Sequence, residues 1–128
     1  MPHFVIECSK NVLAQQPADV IMHIVYDAAA ATGLFADNDI KVRINSYDQY
    51  RLGEGKDSFM HIFASIMGGR TTAQKAALSK TIIQQLAPLF PDISFLSMNV
   101  EDFDPATYCN KSLINPLNTE GNRHFWKN

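Results

Sequence analysis

The stretch Met1-Pro2-His3-Phe4-Val5-Ile6-Glu7-Cys8-Ser9-Lys10 frames the reading of everything after it. Residues 2–8 form an apolar run rich in Val, Ile and Phe, and Ser9-Lys10-Asn11 bounds it. Such a run predicts a buried strand. Pro2 stands at the first residue of that strand, where a missing N–H is easily tolerated. Initiator methionine is usually trimmed when the next residue is small, and proline qualifies. Trimming leaves Pro2 as a free secondary amine. That group can act as a general base or a nucleophile when its surroundings keep it unprotonated near neutral pH. Proline at position two also has a plain reading as a clean processing signal, so Pro2 alone does not decide between them.

Outward from this strand, residues 17–32 carry Ile21, Ile24, Val25, Ala28 and Ala31 at helical spacing. Pro17 suits the first turn and Gly33 the C-terminal cap. His23 is read as solvated or partly packed, without a catalytic role. Residues 39–48 alternate: Ile40, Val42 and Ile44 take one face, Lys41, Arg43, Asn45 and Tyr47 the other. This predicts a half-buried strand with two cations on its polar face. Two glycines mark residues 51–57 as a loop. Residues 58–67 are apolar or small on both faces, which predicts a central strand. His61 within it reads as a hydrogen-bonded structural histidine, not a ligand. Gly68-Gly69-Arg70 makes a tight corner. Thr71 then opens a helix with Gln74 placed for a capping box. Leu78, Ile82, Leu86 and Leu89 form its apolar stripe, and Pro88 and Pro91 end it. Residues 93–103 alternate again, with Leu96, Met98 and Val100 on one face. Residues 104–128 have no clear period; the aromatic pair Phe125-Trp126 is expected to pack on the domain or on a neighbouring subunit.

The order is strand-helix-strand twice over. The expected fold is α+β, a two-layer sandwich in which two fused β-α-β units make a four-stranded mixed sheet with two helices on one face. One domain spans residues 1–128, with units at about 2–48 and 58–103 and a tail at 104–128. The other sheet face stays partly apolar, which in so small a domain predicts self-association.

Composition narrows the function classes. The 128 residues are 46% hydrophobic and 19% charged, with a formal net charge of -2. No basic stripe or run is present for a nucleic acid or an anionic membrane surface. No apolar run approaches the roughly 20 residues of a membrane helix, and the start of the chain lacks the pattern of a signal peptide. Cys8 and Cys109 have no metal-ligand spacing, and Cys8 reads as a buried small hydrophobe. A reducing, cytoplasmic setting is expected.

Four stretches resemble the 5-carboxymethyl-2-hydroxymuconate isomerase branch of the tautomerase superfamily. They are Pro2-His3-Phe4-Val5-Ile6-Glu7-Cys8-Ser9 with Asn11; Ala31-Thr32-Gly33-Leu34-Phe35; Ile40-Lys41-Val42-Arg43; and Gly68-Gly69-Arg70. The resemblance covers most of the chain and weakens after about residue 103. It implies a homotrimer with active sites near subunit boundaries. It further implies a cofactor-free keto-enol isomerase acting on an unsaturated, multiply carboxylated acid from homoprotocatechuate breakdown. Pro2 would be the catalytic proton shuttle, and Lys41, Arg43 and Arg70 would bind substrate. Lys41 stands where the family usually has arginine, which keeps the charge but loses the two-pronged fork.

The residues can do this chemistry. Nearby cations and an apolar pocket both disfavour a charged amine, so they turn a terminal proline into a base at neutral pH. The same cations hold an anionic substrate and stabilise charge moving toward a carbonyl oxygen. Two other readings accompany this one: a phenylpyruvate-type tautomerase, and a non-catalytic trimer that binds a small carboxylate.

Overall fold

The computed structural model describes residues 1–114. Strand β1 (His3–Ser9) is followed by a short helix α1 (Lys10–Gln15), helix α2 (Ala18–Ala31) and strand β2 (Lys41–Tyr47). Strand β3 (Phe59–Met67), helix α3 (Thr72–Leu86) and strand β4 (Phe95–Phe103) repeat the plan, and a single turn, α4 (Lys111–Ile114), closes the described chain. Phe125 and Trp126 lie outside the described residues.

The sheet order is β2-β1-β3-β4. β1 runs parallel to β2 and antiparallel to β3, and β3 runs parallel to β4. The expected mixed sheet of two joined β-α-β units is therefore the observed one, with β3 central as its two-sided apolar character requires.

Alternation decides the faces. Phe4, Ile6 and Cys8 of β1 and Met60, Ile62, Ala64 and Ile66 of β3 are buried on the helix side. They meet Ile21, Val25, Ala28 and Ala29 of α2 and Leu78, Ile82 and Leu86 of α3 in one apolar cluster. Each large side chain buried there contributes roughly 1.5–3 kcal/mol. Cys8 is fully buried, and burial raises its thiol pKa to about 11. It is the buried hydrophobe the sequence implied.

The ends of the helices follow local chemistry. Thr71 and Gln74 form a reciprocal capping box at the start of α3. Gly33, just past the Thr32 cap of α2, has φ +71°, a backbone state that suits glycine. Gly69 in the corner after β3 has φ +123° for the same reason.

Helix α1 is a feature that periodicity did not indicate. It is six residues long with one buried side chain, Val12, too short for a helical pattern to repeat. Ser9 and Asn11 tie this turn to the loop before β3. The Ser9 hydroxyl donates to Asn11 Oδ1 at 2.6 Å and accepts from Phe59 N at 3.0 Å, while Asn11 Nδ2 donates to the Asp57 carbonyl at 2.8 Å.

Candidate active site

Strand pairing brings distant residues to one end of the sheet. The parallel register sets His3 opposite Lys41, and Lys41 N donates to the Pro2 carbonyl at 3.2 Å. The antiparallel register sets His3 opposite Ser65. The end of β3, and with it the corner carrying Arg70, thus lies beside the start of β1. Pro2 is buried at this junction.

The terminal amine on Met1 lies 4.0 Å from Asp39 Oδ2. Its pKa is lowered, first by burial; Asp39 opposes this, and the positive charges of Lys41 and Arg70 add to it. Pro2, Lys41 and Arg70 are therefore brought together. Arg43 is not at the amine. It sits one alternation further along β2, where its Nη1 donates to His3 Nδ1 at 3.2 Å. The His3 imidazole is held below its ordinary pKa by burial, then by Lys41, Arg43 and the terminal amine. An imidazole that accepts a bond from arginine is in its neutral form.

None of the three cations has a carboxylate within 4 Å among the described residues. Lys41 Nζ donates to the Asp39 carbonyl at 2.6 Å. Arg70 donates to the carbonyls of Met67 at 3.1 Å and Leu34 at 2.6 Å, and its guanidinium lies 5.1 Å from the Phe35 ring centre. These partners orient the three positive charges without neutralising them.

Two neighbours were not assigned a role from sequence: His3, and the pair Leu34-Phe35. Both lie inside stretches that carried the family resemblance, so position was visible while contact was not. His61 matches its reading as a bonded histidine, with Nδ1 2.6 Å from Ser97 Oγ and Nε2 2.5 Å from Asn99 Oδ1. A cavity of about 850 Å³ lies between α1 and the far end of β2, lined by Lys10, Leu13, Ser46 and Tyr50. It is at the opposite end of β1 from Pro2. Its one lysine is paired with Asp48 at 3.7 Å, so charge favours the Pro2 end for binding an anion. No group of three or more His, Cys, Asp or Glu side chains among the described residues is arranged to hold a metal.

The four-stranded mixed sheet of paired β-α-β units is a fold found in other solved proteins. A fused 4-OT symmetric trimer shares this fold with a TM-score of 0.70 at 16% identity, over 85% of this chain and 91% of that one. The chain belongs to the 5-carboxymethyl-2-hydroxymuconate isomerase family, whose model matches residues 2–117. The 5-carboxymethyl-2-hydroxymuconate Delta-isomerase of Escherichia coli is 23% identical over 124 residues, covering 91% of this chain and 98% of that protein. A solved 5-carboxymethyl-2-hydroxymuconate isomerase from Deinococcus radiodurans R1 has a TM-score of 0.76 at 19% identity, over 96% of this chain and 93% of that one. The chain is thus a tautomerase-type isomerase.

Proposed function

We propose that the chain catalyses the cofactor-free keto-enol isomerisation of 5-carboxymethyl-2-hydroxymuconate, or of a closely similar unsaturated carboxylated acid, in aromatic catabolism. Removal of Met1 makes Pro2 the terminal amine. Its nitrogen takes the proton of the 2-hydroxyl group and returns a proton to carbon. One base that accepts and gives back a proton completes the reaction, with no net gain or loss of atoms. Arg70 and Lys41 bind carboxylates and stabilise charge developing on the carbonyl oxygen. Arg43, beside His3, extends the positive surface along β2. The working unit is a homotrimer, with its sites near subunit boundaries.

The observation that carries this reading is the seat of the terminal amine: partly buried, near Lys41 and Arg70, and lowered in pKa. The amine there belongs to Met1, and Pro2 is the next residue inward. The family match also begins at Pro2. Intact mass of the purified protein reads whether Met1 has gone. In Met1-free protein, Pro2→Ala is expected to cut turnover by about 10²–10⁴-fold, the usual contribution of a general acid-base group, with the fold retained by circular dichroism. Unchanged turnover removes Pro2 as the base.

Lys41 favours one second reading, a tautomerase for phenylpyruvate-type acids. Lysine offers a point charge where a bidentate carboxylate contact needs the arginine fork. Comparing kcat/KM for the multiply carboxylated and monocarboxylated classes separates the two.

A further inference from the structure

We propose that Phe35, acting with the Leu34 carbonyl, is the positioning element that aims Arg70 at the substrate carboxylate; this rests on the functional reading above. The Arg70 guanidinium is restrained on three sides. Met67 O lies 3.1 Å from Nη1, Leu34 O lies 2.6 Å from Nη2, and the Phe35 ring centre is 5.1 Å from the guanidinium carbon. Met67 is a local partner. Leu34 and Phe35 come from the turn after α2, and they join the two β-α-β units at the site.

That turn is itself held. The Thr32 hydroxyl donates to the Ala29 carbonyl at 2.6 Å and accepts from Leu34 N at 3.2 Å. Phe35 is 8% exposed and meets Phe4 edge-on, with ring centres 6.2 Å apart. Phe4 is fully buried in β1, two residues from Pro2. The aromatic pair thus links the position of Arg70 to the strand that starts at Pro2.

The chemistry of the partners argues for positioning over mere bracing. A carboxylate would brace an arginine more strongly but would consume its charge. Two neutral carbonyls and a ring face hold the plane of the guanidinium and leave the charge intact. Arginine has five N–H donors. With two of them committed to carbonyls, three are left to meet an anion.

The test uses Met1-free protein and 5-carboxymethyl-2-hydroxymuconate as probe. Phe35→Leu keeps an apolar side chain but removes the ring face. A cation-ring contact of this kind corresponds to about 5–30-fold in affinity, so KM is expected to rise in that range with kcat nearly unchanged. Phe35→Tyr is expected to restore KM, and Phe35→Leu to add nothing in an Arg70→Ala background. A KM unchanged in Phe35→Leu, or a loss of the same size with Arg70 already gone, overturns the proposal. Should Phe35→Leu fail to fold, Phe35→Met makes the same comparison. The two levels stay distinct. Arg70→Ala with wild-type kinetics overturns the functional reading of Arg70 and the positioning role with it. A weakened Arg70→Ala beside a wild-type-like Phe35→Leu overturns the positioning role alone.

Discussion

At the start of β1 a single amine sits among opposed influences. Burial favours its neutral form, Asp39 favours the charged form, and Lys41 and Arg70 favour the neutral form again. On the proposed mechanism, loss of Met1 places the Pro2 amine in this same field; its neutral form is the active one, so activity rises as pH climbs through its pKa. Lys41→Met removes one cation, raises that pKa and moves the acid limb of kcat/KM to higher pH. Asp39→Asn removes the opposing anion and moves the limb to lower pH. A pH-rate profile of both variants reads the two signs; shifts in the same direction would exclude this electrostatic account. His3 shows the same field from the open side of the sheet, held neutral between burial and two cations. Its role was invisible in the sequence because a histidine in a strand has no local sign of which cation faces it from forty residues away.

Elements were legible wherever a pattern had room to repeat. Thr71 and Gln74 three residues apart announced the start of α3, and both capping bonds are present, at 2.8 and 3.1 Å. Thr71→Ala is expected to cost about 1 kcal/mol. In urea unfolding this appears as a lower midpoint at unchanged slope; an unchanged midpoint would show that water caps the helix equally well. Leu78, Ile82 and Leu86 are buried as their spacing required, while Leu89, the last of the expected stripe, falls in a 3-10 turn after the helix and is half-buried. Helix α2 buries Ala29 where the stripe predicted Ala31, which is exposed. Among small residues, spacing alone does not choose the buried side. Helix α1 escaped notice because tertiary contacts of Val12 and the Ser9-Asn11 bonds hold it, with little contribution from local propensity.

For the whole molecule, the decisive feature is the sheet face away from the helices. Phe63 and Phe95 are 44% and 46% exposed there, and the alternation of β1 places Val5 on the same face. The His61–Ser97–Asn99 bonds also run across this face. Large exposed aromatic side chains on one sheet face mark a candidate contact surface. On the proposed trimer, sedimentation equilibrium should give about three times the chain mass of 14.3 kDa, and Phe63→Lys should shift it toward one chain mass. A single-chain mass for the unaltered protein would overturn the trimer. The described residues contain no helix long and apolar enough to cross a membrane.

The strands, the two long helices, their caps and the inward faces were written in the sequence. Each is a short-range consequence of side-chain alternation, helical spacing and cap chemistry. The gathering of Pro2, Lys41 and Arg70 at one sheet end was decided by tertiary structure. Parallel pairing of β1 with β2 and antiparallel pairing with β3 set which ends meet, and register between distant strands is settled only when their buried faces pack together. The same holds for Phe35 beneath Arg70: the motif was plain to read, but the contact exists only because the turn after α2 and the corner after β3 meet over Phe4.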